Sequence, residues 1–129
     1  EAGMHGRDWI AIAATMKLME YMATEYKDNI DVRIMVNNFD WVFVPVANPD
    51  GYVATYSQNR LWKKNMKRDM GTKCVGVDLN RNFNANWGKE GSIGDPCNRA
   101  YRGKSAFSEP ETVALSKLVS KHPKQISLF

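Results

Sequence analysis

Apolar residues recur at Ile12, Met16, Met19, Ala23 and Tyr26, at spacings of four and three, so Trp9 to Tyr26 reads as a helix with one face turned into a core. Val32 to Val36 and Trp41 to Val46 are short β-branched and aromatic runs with strand signals, separated by Asn37, Asn38 and Asp40, and the second reads as a buried strand of a sheet. Pro45 argues against full hydrogen bonding at that point of the second run. Asn48-Pro49-Asp50-Gly51 follows as a turn signal, with Pro at the second turn position and Gly where positive φ is needed.

Val75 to Leu79 is a third apolar run, cut off by Asn80-Arg81-Asn82. Ser108-Glu109-Pro110-Glu111 opens a last helix, with Ser108 as cap and Glu111 completing a capping box. Leu115, Leu118, Val119 and His122 make one face of it, and Pro123 ends it. Ile126 to Phe129 begins a further strand. This alternation of short strands and helices implies an α/β class, a mixed twisted sheet covered by helices and incomplete in this chain.

The length of 129 residues, 43% hydrophobic and 25% charged, is that of a single globular unit able to bury a core. A net charge of +4 permits an anionic ligand without arguing for nucleic acid. The basic run Arg60-Leu61-Trp62-Lys63-Lys64-Asn65-Met66-Lys67-Arg68 reads as a solvated face rather than a nucleic-acid surface. No apolar run reaches the ~18 residues of a membrane-spanning helix, so no membrane partner is expected. Glu1 opens the chain without an initiator Met or signal-peptide pattern, so residues 1–129 are read as part of a domain, truncated at both ends.

Candidate chemistry starts at Gly3-Met4-His5-Gly6-Arg7-Asp8-Trp9. His5 and Asp8 stand three positions apart, and imidazole plus carboxylate is a zinc-type donor set. Alone, His-x-x-Asp is also the signature of a solvated surface cluster, and an Asp in a first helical turn is favoured by the helix dipole without any metal. Asn80-Arg81 offers an amide and a planar guanidinium suited to a carboxylate, although a surface Arg at a strand end explains the same residues. Cys74 and Cys97 bracket a loop rich in Gly, Asn and Pro, and read either as two buried thiols or as one bridge.

Taken together, Gly3–Ile10, Asn48-Pro49-Asp50-Gly51-Tyr52, Asn59–Lys64, Cys74–Phe83 and Pro96-Cys97 resemble, in order and spacing, the zinc metallocarboxypeptidases of the pancreatic A/B branch. The resemblance runs the length of the chain and implies that family's fold, with Zn2+ as cofactor. His5 and Asp8 would be zinc ligands. Asn80 and Arg81 would hold the C-terminal carboxylate of a peptide or protein substrate, Arg7 and Arg60 would line the approach, and Lys63 would polarise the scissile carbonyl as the catalytic cation. A Cys74–Cys97 disulfide, secretion to the extracellular space and a pro-segment outside this chain are also implied.

Three departures from the family pattern stand out. Asp8 replaces a Glu, which withdraws the carboxylate by ~1.5 Å against a metal-bond tolerance of ~0.2 Å, so the backbone would have to move. Lys63 replaces an Arg, which keeps the charge and gives up the two-point fork. The third zinc ligand, a His, and the catalytic Glu are expected beyond Phe129, and His122 is not that ligand. Two functions follow: a zinc carboxypeptidase when complete, or a non-catalytic relative that binds peptide C-termini. A-like and B-like side-chain preference is set outside these residues.

Overall fold

The computed structural model of the chain describes residues 1–121, so the expectations for His122, Pro123 and Ile126 to Phe129 lie outside the described residues. The first helix, α1, spans Trp9–Glu25, as the spacing predicts. Ile12 and Met22 are its buried residues, whereas Met16, Ala23 and Tyr26 are exposed. The inward face is therefore narrower than, and rotated from, the one the periodicity picks out.

Val32 to Val36 is not a strand but the body of α2, Ile30–Asn38. Asn29 caps it, its side chain accepting from the Asp31 and Val32 amides, and Asp31 places a negative charge in the first turn. A side-chain cap and a favourable dipole outweigh the modest helix penalty of β-branched residues. Only Val32 of α2 is buried, and α2 packs against α1.

Trp41 to Val46 builds no named strand and is not a buried one, since Trp41 and Val42 are exposed. Val44 accepts from the Ala2 amide at 2.9 Å, the Ala47 amide donates back to Ala2 at 2.9 Å, and Asn48 donates to Gly3 at 3.0 Å. Pro45 has no N–H to contribute between them. The useful result is local: residues Ala2 and Gly3 are laid alongside 44–48, which brings His5 next to Asn48.

Asn48-Pro49-Asp50-Gly51 is likewise not a free turn. It starts α3, Pro49–Ser57, with Asn48 as cap and Pro49 in the first turn, where its missing N–H costs nothing. Val75 to Leu79 departs from a strand as well. An isolated antiparallel bridge joins Arg68 to Val75, and the chain then tightens into a 3-10 turn at Leu79–Arg81. Gly76 has φ +86, and a Cβ there would stand 2.2 Å from the Asn65 carbonyl oxygen. The Val77 N–H goes to the Asn65 side chain at 2.8 Å, so a side chain takes the place of a neighbouring strand.

The last helix, α4, spans Pro110–Ser120, but not with the expected cap. Ser108 donates to the Glu109 carboxylate, and Glu111 lies against the Asn65 amide rather than closing a capping box. Asn82 does the capping from elsewhere in the chain: its Oδ1 accepts from the Glu109 N–H at 3.2 Å and from the Thr112 hydroxyl at 2.7 Å. The core is correspondingly polar, with Asn65, Asn82, Glu109 and Thr112 buried beside Val77, Leu79 and Leu115. Each of these polar groups has a partner, as burial requires.

The basic run 60–68 is a solvated face only in part: Arg60, Leu61 and Arg68 are exposed, whereas Lys64 and Asn65 are buried. Lys64 Nζ donates to the Pro96 and Asn98 carbonyls at 2.8 and 3.3 Å, and burial lowers its pKa. Lys67 pairs with the buried Glu109 at 3.0 Å. The internal placement of Lys64 anchors the loop that carries Cys97.

Cys74 and Cys97 form a disulfide, as expected, and it ties the irregular segment after residue 82 to the strand-like segment before Asp78. Reduction should lower the unfolding free energy by about 3 kcal/mol on chain-entropy grounds. Urea midpoints with and without reductant, alongside mass spectrometry of non-reduced peptides, check both the bond and its worth. Equal midpoints would show that the bridge adds nothing.

Candidate zinc and carboxylate site

His5 lies where the extended start of the chain turns into α1. The turn is closed by backbone bonds from Asp8 N to His5 O at 3.1 Å and from Trp9 N to Arg7 O at 2.9 Å. Gly6 allows it to sit deep, because a Cβ there would be 2.2 Å from the Gly51 carbonyl oxygen, and its N–H donates to Lys63 O at 3.2 Å. The loop bearing His5, the first turn of α3 and the segment bearing Lys63 thus meet at backbone contact.

The chemistry of the site is organised by a residue that the sequence reading passed over, Asp78. Its side chain is fully buried, its Oδ1 stands 3.0 Å from His5 Nε2, and its Oδ2 pairs with the Lys63 ammonium. Burial pushes its pKa up, but the hydrogen bonds and charges of His5 and Lys63 win and hold it below the usual value. An ionised carboxylate only accepts, so His5 Nε2 carries the proton and donates it. The other ring nitrogen, Nδ1, faces Asp8 Oδ2 at 3.2 Å.

A ring nitrogen and a carboxylate oxygen at that distance need something positive between them, either a proton on Nδ1 or a cation. Two donors of a tetrahedral zinc at ordinary bond lengths stand ~3.4 Å apart, so the observed separation fits the ion. Asp8 reaches this point despite its short side chain. It is the residue before α1 rather than a member of its first turn, with φ −84 and ψ 56, and its carboxylate makes no capping bond. The helix start is arranged so that the carboxylate turns to His5 instead. A carboxylate–histidine pair behind a ligating ring is the usual outer support of a metal site. Among the described residues, no group of three His, Cys, Asp or Glu side chains that could hold a metal ion is gathered.

The other expected site residues divide into those that join this cluster and those that do not. Arg7 Nε stands 3.7 Å from Asp8 Oδ1, a half-exposed pair. Arg60 is turned inward against its own chain: its guanidinium lies 3.8 Å over the Trp9 ring and donates to the Arg7 carbonyl at 2.9 Å. Trp9 is itself held by Thr55 at 2.9 Å and stacked on Tyr56 at 4.6 Å. Lys63 shares its charge with Asp78 and so does not stand free.

Asn80 and Arg81 follow Asp78 directly in the 3-10 turn, whose opening is capped by Asp78 accepting from the Asn80 amide at 3.2 Å. Arg81 Nε donates to Gly91 O at 2.8 Å and Nη1 to Asn80 O at 3.0 Å. These bonds stiffen the side chain while leaving an N–H on each terminal nitrogen, the edge a carboxylate would meet. Arg81 and Asn80 also line a cavity of about 310 Å³ with Phe83, Trp87 and Glu90.

Comparison with known proteins identifies the family. The zinc carboxypeptidase family model matches residues 1–129. Carboxypeptidase A4 of Mus musculus is 41% identical over 121 residues, covering 94% of this chain and 29% of the relative. A zinc carboxypeptidase of Simulium vittatum is 39% identical over 129 residues, covering all of this chain and 42% of the relative. The crystal structure of thrombin activatable fibrinolysis inhibitor superposes with a TM-score of 0.91 at 33% identity, covering 96% of this chain and 31% of that one. The chain thus spans roughly three to four tenths of the length of these relatives. It folds as part of the domain they share, and the α/β expectation holds at that level although the described residues contain no named strand.

Proposed function

Since the chain belongs to the zinc carboxypeptidase family, we propose that the protein it comes from is a metallocarboxypeptidase, removing C-terminal residues from peptides or proteins, and that this chain supplies the first part of its active site. The observation that carries the reading is the convergence of His5 Nδ1 and Asp8 Oδ2 at 3.2 Å, with the far side of the imidazole held by Asp78.

His5 and Asp8 would hold the metal together with a third ligand from outside these residues. Bound zinc supplies Lewis acidity toward a carbonyl and lowers the pKa of a coordinated water. The remaining work falls to side chains of this chain. Arg81 takes the substrate's C-terminal carboxylate on its terminal edge, with the Asn80 amide beside it, and this selects the last peptide bond. Lys63, positioned by Asp78, keeps a positive charge near the oxyanion that develops as the carbonyl is attacked. Arg7 lines the approach. Arg60, stacked on Trp9 and bonded to Arg7, is better suited to stiffening that wall than to meeting substrate.

The compartment is proposed as extracellular or another oxidising one, because disulfides such as Cys74–Cys97 persist there. No helix among the described residues is long and apolar enough to cross a membrane.

The test is release of single C-terminal residues by the full-length protein. Activity should vanish with a chelator, return with zinc, and be weak on amidated peptides. A zinc-loaded protein that binds free C-termini without releasing a residue would establish the second reading, a non-catalytic relative. The shortened Asp8 and the forkless Lys63 are the features that favour it.

A further inference from the structure

Asp78 ties together two side chains, those of His5 and Lys63. The backbones that carry them are tied together by another residue, Asn48. It is fully buried at the start of α3, and its side chain uses both of its N–H donors and its oxygen at once. Oδ1 accepts from the Gly51 N–H at 2.8 Å, the ordinary helix cap. Nδ2 donates to Met4 O at 3.1 Å and to Lys64 O at 3.2 Å. Met4 immediately precedes His5, and Lys64 immediately follows Lys63.

The cap accounts for only half of this side chain. Ser or Asp caps a helix about as well as Asn. Among these residues only Asn also brings two N–H donors. The surroundings match that use. A Cβ on Gly51 would stand 2.4 Å from Asn48 Nδ2 and 2.5 Å from Lys64 O, so any side chain at 51 would push the bridge apart. The Asn48 N–H adds a fourth bond, to Gly3 O at 3.0 Å.

We propose that Asn48 is a positioning residue of the zinc site: its amide bridge between Met4 O and Lys64 O sets the spacing of the His5 loop and the Lys63 segment. The inference rests on the zinc reading above. Metal bonds tolerate errors of only ~0.2 Å, so a side-chain clamp at Asp78 is no more accurate than the backbones beneath it. Supporting contacts of this kind typically govern metal affinity by ~10- to 100-fold.

Asn48→Ser in the full-length protein keeps a capping oxygen and removes both donors. The expected result is zinc affinity lowered at least ~10-fold, and, in the zinc-free protein, His5 ring signals displaced from the parent's in long-range proton–nitrogen NMR as the Nε2 contact with Asp78 is disturbed. Asp50→Ala provides the comparison, because it weakens α3 by removing a first-turn charge while leaving the bridge intact. It should lower the melting temperature and leave zinc affinity and the His5 signals unchanged. A folded Asn48→Ser protein with zinc affinity and His5 signals matching the parent would overturn the proposal and leave Asn48 as a cap only. Should the Ser variant not fold, Asn48→Asp keeps the shape and the cap and is judged by the same two readouts. If the parent binds no zinc, the zinc reading fails, while the His5 signals still decide whether Asn48 positions that ring.

Discussion

Replacing Arg81 by lysine in the full-length protein should cut kcat/KM for peptides with a free C-terminus by roughly 10- to 100-fold, the worth of hydrogen bonds to a charged group. The ammonium retains the charge but cannot offer two parallel N–H bonds to one carboxylate. It also cannot reproduce the bonds to Gly91 O and Asn80 O that hold the guanidinium in place, so the lost contact and the lost rigidity act together. Amidated peptides are the control. They lack the anion, so they start as poor substrates and lose much less on mutation, and the difference between the series isolates the carboxylate contact from general damage. Equal losses for acid and amide would return Arg81 to a side chain that merely ties the 3-10 turn to the Gly91 loop.

The candidate site residues could be picked out in the sequence because they are local in spacing, His5 and Asp8 three apart, Asn80 beside Arg81, Cys74 and Cys97 around one loop, while the roles proposed for them came from the family resemblance. The secondary structure was much less legible. Val32 to Val36 carries strand-forming residues, yet Asn29 and Asp31 in front of it decide for a helix. Gly76 and the Asn65 side chain likewise turn Val75 to Leu79 away from a strand, an outcome set by a residue more than ten positions upstream. Asn48 was visible as a turn signal, but its two long-range acceptors were not.

Asp78 had a signal that could have been used. It is an acid inside the apolar run Val75 to Leu79, and a charge there must find a partner once the run is buried. Lys63 and Lys64 show the converse error. A basic run looks like a solvated face by composition, and only the fold reveals that these lysines have internal partners. The placement of Asp8 also becomes visible only in three dimensions: the residue stands ahead of α1 with its carboxylate free of capping and turned toward His5.

Asp78→Asn is nearly identical in shape and should nevertheless be among the most damaging changes in the chain. The carboxylate accepts on both oxygens, from His5 Nε2 and from Lys63. An amide has one accepting atom and one donating group. If its oxygen faces His5, its NH2 meets the Lys63 ammonium, and that charge, mostly buried with 16% of its side chain exposed, loses its partner. If its oxygen faces Lys63, its NH2 meets His5 Nε2, the ring must carry its proton on Nδ1, and no lone pair faces Asp8. Zinc affinity should fall by ~10- to 100-fold in either case, and stability by about 2 kcal/mol. The two orientations are separable by experiment, since only the second removes the proton from His5 Nε2 in the zinc-free protein. Competition titration with a chelating dye and urea unfolding measure the two losses. Parent-like zinc affinity in the variant would mean that Asp78 serves Lys63 and the fold alone, and that the ring of His5 is held by its own loop.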